Sequence, residues 1–192
     1  MQQPQQMFFK KSGPANFTAL LMNSRNKVII MKQDHIQTIE IVAAVITVST
    51  TRTPETDTSG LTIASILKEA GIKVQHYAIV PDRIEAIRAE VYRALKKANC
   101  VVLNGGTGLT HDDCTIEAIL PLLGKKIDGF GELFRAKSFL EIGTSAMLSR
   151  AIAGVSDGKA IFCIPGSTPA VTLATKELIV PEIMHILSHA NK

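Results

Sequence analysis

The amino-acid sequence predicts an α/β protein, a three-layer sandwich in which helices cover both faces of a mostly parallel central sheet. From residue 39 onward, apolar runs of strand length alternate with segments of helical periodicity. The strand segments are almost continuously apolar, which is typical of strands buried on both faces. A regular alternation of such strands with helices indicates a parallel sheet that is covered by helices.

The first half of this pattern predicts a strand, a helix and a second strand. Residues 39–48 form a β-branched, nearly continuous apolar run, and a polar loop then reaches Gly60. An apolar stripe between Leu61 and Ala70 predicts the helix, which we expect to end at Gly71. Residues 74–80 form the second predicted strand.

The second half repeats the pattern. A helix is predicted to begin at Asp82 and to bury a face that runs from Ile84 to Leu95. Residues 101–103 and 160–164 are the next predicted strands. A last helix follows the second of them, and we expect Pro181 to kink or divide it because proline cannot continue the backbone hydrogen-bond ladder.

Length and charge define one domain and exclude several classes of function. The 192 residues suffice for one well-buried domain, which we assign to residues 39–192, with residues 1–38 as a glutamine-rich N-terminal extension. Five basic residues and one acidic residue lie within residues 1–39, so the net charge of +4 belongs to that stretch. A neutral domain predicts no nucleic-acid partner. No apolar run approaches the roughly 20 residues that a membrane-spanning helix needs.

Several reactive side chains are predicted to lie outside any site. Cys100, Cys114 and Cys163 are odd in number and lack metal-ligand spacing, which indicates reduced thiols in the cytoplasm. Acidic neighbours of Cys114 should raise its pKa, so we do not expect it to be a nucleophile. His185 and His189 lack the glutamate of a zinc-protease motif, and we expect them on the surface of the last helix.

A glycine turn follows the third predicted strand. Residues Gly105-Gly106-Thr107-Gly108 can expose consecutive backbone amides to a phosphate group, but the same pattern also suits a plain strand-to-helix turn. A dinucleotide fingerprint is excluded because His111 stands where a third glycine is needed, and a P-loop is excluded because no Gly-Lys-Ser/Thr follows.

Asp82 and Asp113 each follow a predicted strand, and each has two possible roles. Either residue can cap the helix that begins beside it. Both, however, stand at the carboxyl ends of neighbouring strands, where ligands bind in parallel sheets. Four loops should meet at that edge of the sheet: residues 49–60, 81–82, 104–115 and 165–167. Paired carboxylates beside a phosphate-binding turn make most sense with a bound divalent cation.

With these loops assembled, the chain resembles the MoaB/MogA family of molybdopterin adenylyltransferases from about residue 41 to residue 185. The segments that carry the resemblance are residues 45–50, 57–60, 80–82, 105–108, 113–118, 129–135, 145–151 and 164–167. The segments at residues 129–135 and 149–151 favour the MoaB branch.

The resemblance implies a molybdopterin-binding-like fold that assembles as a homotrimer or a hexamer. It also implies transfer of AMP from ATP, with Mg²⁺, to the terminal phosphate of molybdopterin and release of pyrophosphate. The product would pass to an enzyme that inserts molybdate.

The resemblance also assigns the site. Asp82 and Asp113 match the two acids required for activity. We expect Asp113 to hold the metal ion and Asp82 to hold either the metal ion or the pterin. The matching substrate and nucleotide contacts are Asp57, Ser59, Gly60, Gly105, Gly106, Thr107, Gly108, Thr115, Glu132, Arg135, Ser145, Pro165, Gly166 and Ser167.

Two other functions stay open. A noncatalytic molybdopterin-binding or scaffold protein would share the fold, and retention of both acids favours the enzyme. A nucleotide-amidohydrolase relative is disfavoured because such a protein carries an additional domain. Asp112 departs from the family pattern, since many relatives have a basic residue at that position.

Overall fold

A computed structural model describes residues 39–192, so the predicted N-terminal extension lies outside the described residues. The strands are β1 (Val42–Val48), β2 (Lys73–Val80), β3 (Cys100–Asn104), β4 (Lys125–Lys126), β5 (Ile152–Ser156) and β6 (Lys159–Ile164). The helices are α1 (Thr58–Glu69), α2 (Ile84–Leu95), α3 (Thr115–Ile119), α4 (Asp128–Ile142), α5 (Thr168–Ala174) and α6 (Val180–Ala190). A 3-10 helix, Gly143–Leu148, follows α4.

The described strands form one sheet in the order β2-β1-β3-β6-β5-β4. The first four are parallel, which confirms the mostly parallel sheet, whereas β5 and β4 continue it in antiparallel pairing. The sequence analysis did not predict β5 or the edge strand β4. A Cβ atom on Gly154 of β5 would lie only 2.6 Å from the Lys125 carbonyl oxygen, so the glycine allows β4 to approach.

Side chains of the central strands alternate between two hydrophobic clusters, one on each face of the sheet. In β1, Ala43 and Val45 face the cluster beneath α1, α4, α5 and α6, while Ala44 and Ile46 face the cluster beneath α2 and α3. All four are fully buried. This arrangement confirms the three-layer α/β fold, because strands covered on both faces have no solvent side. None of the described helices has the length and apolarity needed to cross a bilayer.

The last helical region is interrupted, as predicted. A π-helical segment, Thr175–Ile179, separates α5 from α6, and Pro181 lies in the first turn of α6. Proline has no backbone N–H to donate, and the wider π-helical turn before it accommodates the missing hydrogen bond.

Candidate active site

A cleft of about 580 Å³ opens at the carboxyl edge of the parallel strands, where the loops after β1, β2, β3 and β6 meet. The residues that line it are Thr47, Val48, Ser49, Arg52, Asp82, Asn104, Gly105, Gly106, Thr107, Gly108, Asp113, Leu148, Ser149, Arg150, Pro165, Gly166 and Ser167. This edge is where parallel sheets bind ligands. The structure therefore brings the four predicted loops together.

The glycine turn forms the floor of the cleft. Gly105 and Gly106 have φ values of +89° and +60°, a region that favours glycine. The Gly105 amide donates to the Ile164 carbonyl at 3.1 Å, and the Thr115 hydroxyl donates to the Gly105 carbonyl at 2.8 Å. The turn is thus held from two sides, and the buried Thr115 supports it from behind rather than lining the cleft.

Asp82 lies over the middle of this turn. Its Oδ2 atom accepts a hydrogen bond from the Thr50 hydroxyl at 2.9 Å, and a Cβ atom on Gly106 would lie 2.8 Å from its Oδ1 atom. The capping interpretation of Asp82 is wrong, because α2 begins at Ile84 with Arg83 as its cap residue and no side-chain cap. The carboxylate is instead aimed at the glycine turn.

Asp113 lies over the end of the turn. Its Oδ2 atom accepts hydrogen bonds from the Thr110 hydroxyl at 2.6 Å and the Thr110 amide at 2.9 Å. Burial alone would raise the pKa of Asp113, but these bonds, the Gly108 amide and the Arg150 charge outweigh it and lower the pKa. The capping interpretation is again wrong, since Cys114 precedes α3 without a side-chain cap. Asp113 is therefore held as a carboxylate at the cleft.

A buried polar network lies beneath the floor and centres on Asp57, which is fully buried and caps α1 through the Gly60 amide at 3.0 Å. Its carboxylate also accepts hydrogen bonds from the Thr47 and Tyr77 hydroxyls. Burial alone would raise the pKa of Asp57. The hydrogen bonds from these hydroxyls, the Gly60 amide and the Arg52 guanidinium outweigh burial, so the pKa is lowered. Burial and the neighbouring carboxylate raise the pKa of Tyr77.

Arg52 connects this network to the cleft, and the sequence analysis missed it. Its Nη1 atom lies 3.0 Å from Asp57 Oδ1, and its Nη2 atom donates to the Gly166 carbonyl at 3.1 Å. The guanidinium therefore joins the loops after β1 and β6 while it still lines the cleft. Its position within a strand-end loop was the signal available in the sequence.

Arg150 is the second positive group at the cleft, and it was noticed only as part of a family segment. Its Nε atom donates to the Thr107 carbonyl at 2.8 Å, and its guanidinium forms two hydrogen bonds to Glu117, at 2.6 and 3.3 Å. Those bonds lower the pKa of Glu117. Arg150 thus fixes the glycine turn to the start of α3.

The predicted site residues fall into three groups. Asp82, Gly105, Gly106, Thr107, Gly108, Asp113, Pro165, Gly166 and Ser167 line the cleft. Asp57, Ser59, Gly60 and Thr115 are buried and support it. Glu132 and Arg135 line a separate cavity of about 350 Å³ beside α4 and β5, and Ser145 is exposed in the 3-10 helix, so the structure does not bring these three to the cleft.

The remaining reactive residues lie outside the cleft. Asp112 and His111 are exposed and do not line the cleft. Burial, followed by the charges of Asp82 and Glu117, raises the pKa of Cys114, so the predicted direction is confirmed. The three cysteines are free.

The donor set suits Mg²⁺ rather than a transition metal. No group of three or more His, Cys, Asp or Glu side chains that could hold a metal ion occurs within residues 39–192. Asp82 and Asp113 supply two carboxylates beside the glycine turn. Mg²⁺ is usually held by one or two carboxylates together with water and substrate phosphates. These two aspartates are the residues that would hold it.

Comparison with known proteins gives consistent matches. A family model described as "Probable molybdopterin binding domain" matches residues 44–185. Molybdenum cofactor biosynthesis protein B of Bacillus cereus is 52% identical over 150 residues, which cover 77% of this chain and 89% of that protein. The protein of the same name from Staphylococcus carnosus is 44% identical over 173 residues, covering 88% of this chain and 99% of that protein.

Solved structures agree with these relatives. A crystal structure of a molybdenum cofactor biosynthesis protein B matches with 49% identity and a TM-score of 0.77, covering 80% of this chain and 97% of that chain. The tungsten cofactor synthesizing protein MoaB from Pyrococcus furiosus matches with 38% identity and a TM-score of 0.74, covering 81% of this chain and all of that chain. The chain therefore belongs to the molybdopterin-binding domain family and, within it, to the molybdenum cofactor biosynthesis protein B (MoaB) group.

Proposed function

We propose that this protein acts in molybdenum cofactor biosynthesis by transferring AMP from ATP to molybdopterin in the cleft described above. A terminal phosphate oxygen of molybdopterin would attack the α-phosphorus of ATP, and the bond to the pyrophosphate group would break. One observation carries the proposal. The carboxylates of Asp82 and Asp113 lie against Gly106 and Gly108 of the glycine turn, in a cleft that two arginines also line.

The side chains of the cleft have separate tasks in this reaction. Arg52 and Arg150 supply the positive charge needed to bring two anionic substrates together. The glycine turn lets phosphate oxygens approach the backbone closely. Asp82 and Asp113 would hold Mg²⁺, which supplies neutralisation of the phosphate charge. No protein nucleophile is required, in keeping with the raised pKa of Cys114.

Self-association in solution is part of the proposal. Large exposed apolar side chains concentrate on α4 and on the 3-10 helix that packs against it. We call this set the α4 surface: Leu133, Phe139, Leu140, Ile142, Met147 and Leu148. Exposed apolar surfaces of this kind mark interaction sites. Because Leu148 also lines the cleft, we expect a homotrimer or hexamer whose interface adjoins the active site.

The test is turnover by the full-length protein incubated with molybdopterin, ATP and MgCl₂, with adenylylated molybdopterin and pyrophosphate as the measured products. We expect both products in equal amounts. Replacement of Asp113 by asparagine should lower the rate by roughly 100-fold or more. The substitution removes a negatively charged ligand of Mg²⁺, and a bound metal ion stabilises the transition state of such a reaction by several kcal/mol.

Asp112→Asn is the matched control, since that neighbouring carboxylate is exposed outside the cleft, and it should keep most of the turnover. Tight molybdopterin binding without any product would contradict the enzyme and would support the noncatalytic scaffold protein. Equal turnover by wild-type protein and Asp113→Asn would contradict the role of Asp113 alone.

A further inference from the structure

We propose that His185 and His189 form a second metal site, a two-nitrogen chelate for a divalent transition-metal ion such as Zn²⁺, Ni²⁺ or Cu²⁺. We call the two residues the histidine pair. They lie one turn apart on the exposed side of α6, and neither lines the active-site cleft. The proposal is independent of the adenylyl transfer proposed above.

The geometry of the histidine pair is close to that of two ligands on one ion. The two Nε2 atoms lie 3.1 Å apart, and the ring centroids are 4.6 Å apart with the rings nearly perpendicular. Two imidazole nitrogens bound to one zinc ion at about 2.05 Å are separated by about 2.9 Å at a right angle and about 3.3 Å at the tetrahedral angle. The observed separation lies between these values.

Glu182 orients one of the rings. Its Oε2 atom lies 3.3 Å from Nδ1 of His185, so the carboxylate can accept a hydrogen bond from a protonated Nδ1. In that tautomer His185 Nε2 accepts the hydrogen bond from His189 Nε2, and a metal ion would replace the proton that the two rings share. Metal-binding histidines commonly donate their other ring N–H to a carboxylate in this way. The histidine pair thus has the supporting contact that a metal site needs.

The surroundings set the kind of ion and the strength of binding. Imidazole ligands suit Zn²⁺, Cu²⁺ and Ni²⁺, whereas Mg²⁺ prefers oxygen ligands, so this site and the two aspartates of the cleft select different ions. The described residues provide no third histidine, cysteine or carboxylate ligand. Water would fill the positions that no described residue supplies. The histidine pair lines a surface cavity together with Lys125, Lys126 and Lys192 and one carboxylate, Asp157, so the net positive charge there opposes a cation. We therefore expect weaker binding than at a four-ligand structural site.

The experiment is calorimetric titration of the full-length, EDTA-treated protein with Ni²⁺ in excess Mg²⁺, which would occupy the proposed carboxylate site. We expect one Ni²⁺ per chain at the histidine pair, a rise in the thermal midpoint on Ni²⁺ addition, and loss of both effects in His185→Gln and in His189→Gln. Glu182→Gln should weaken binding by about 10-fold, since it removes only the orienting contact.

His111→Gln is the matched control, because that histidine is exposed but has no partner histidine within a helical turn. It should bind Ni²⁺ as the wild type does. A circular dichroism spectrum of each variant shows whether the fold is kept. Unchanged Ni²⁺ affinity in the folded His185→Gln and His189→Gln variants, or no Ni²⁺ binding by the wild type, would overturn the proposal.

Discussion

Asp57 shows how a residue can serve the site without lining it. Its carboxylate is fully buried and accepts hydrogen bonds from Thr47, Tyr77 and the Gly60 amide, while Arg52 completes the ion pair. Its predicted substrate contact stays a prediction, and the structure places it beneath the floor of the cleft. We infer that Asp57 positions Arg52, whose other nitrogen reaches the Gly166 carbonyl.

Replacement of Asp57 by alanine should therefore destabilise the protein. Loss of the buried carboxylate should cost about 1–3 kcal/mol, because the Thr47 and Tyr77 hydroxyls lose their acceptor, whereas the Arg52 side chain is 30% exposed and can still be hydrated. The free energy of unfolding in urea at pH 7 measures the effect. Asp112→Ala is the control, and we expect it to change the free energy of unfolding by less than about 0.5 kcal/mol because the side chain is exposed. Equal effects of the two substitutions would contradict the role given to Asp57.

The stability that Asp57 contributes should depend on pH. Its pKa is lowered in the folded protein, so the unfolded chain binds the proton more readily. The contribution is therefore complete above the unfolded pKa of about 4 and is lost as the pH falls through the lower folded value. Urea unfolding between pH 7 and pH 3 should show a smaller loss of stability in Asp57→Asn than in the wild type. Parallel pH profiles for the two proteins would count against this linkage.

At the scale of elements, the glycine turn depends on two of its glycines for backbone conformation and on its neighbours for position. The turn joins β3 to α3, and Thr115 ties its Gly105 carbonyl to the start of that helix. Pattern alone left a phosphate site and a plain turn as alternatives. The contact of the turn with Asp82 and Asp113 favours the phosphate site, because those carboxylates come from two separate loops.

Gly106→Ala should be destabilising by at least about 1–2 kcal/mol, since a residue with a Cβ atom is strained at positive φ. The added atom would also lie 2.5 Å from Thr115 Oγ1. Gly129→Ala is the matched control: the position lies in α4, and no heavy atom lies within 4 Å of the added Cβ. There we expect a gain of about 0.5–1 kcal/mol. Thermal unfolding of both variants measures the contrast, and a neutral Gly106→Ala would show that the turn tolerates a side chain.

At the scale of the whole molecule, the α4 surface stands out because folding of a single chain leaves its large apolar side chains exposed to water. Leu140 is 85% exposed, and its apolar neighbours occupy the same helix and the 3-10 helix after it. Burial of such side chains against another surface is favourable by about 25 cal/mol for each Å² of apolar surface removed from water. A second copy of this chain is the occupant that we propose.

Leu140→Asp should therefore shift the protein toward monomers, because a buried carboxylate without a partner is costly at an apolar interface. Sedimentation velocity measures the molar mass of the species. Tyr92→Asp is the control, since that aromatic residue is also exposed but lies on α2, outside the α4 surface. A wild-type protein that sediments as a monomer, or a Leu140→Asp variant that keeps the wild-type mass, would contradict the proposed self-association.

The sequence by itself determined the layers, the parallel strands and the edge at which the site lies, because burial on both faces leaves a readable apolar pattern along each strand. It also indicated Asp82 and the glycine turn, which follow strands closely, and Asp113, which lies in the loop after β3. It did not reveal β4 and β5, because two lysines and a short strand that contains Gly154 carry little strand signal.

Only the tertiary structure decided which polar residues line the cleft. Arg52 and Arg150 reach it through contacts with residues of other loops, whereas Asp57 and Ser59 turn inward. The direction of a loop side chain depends on partners distant in sequence, and periodicity carries no information about them.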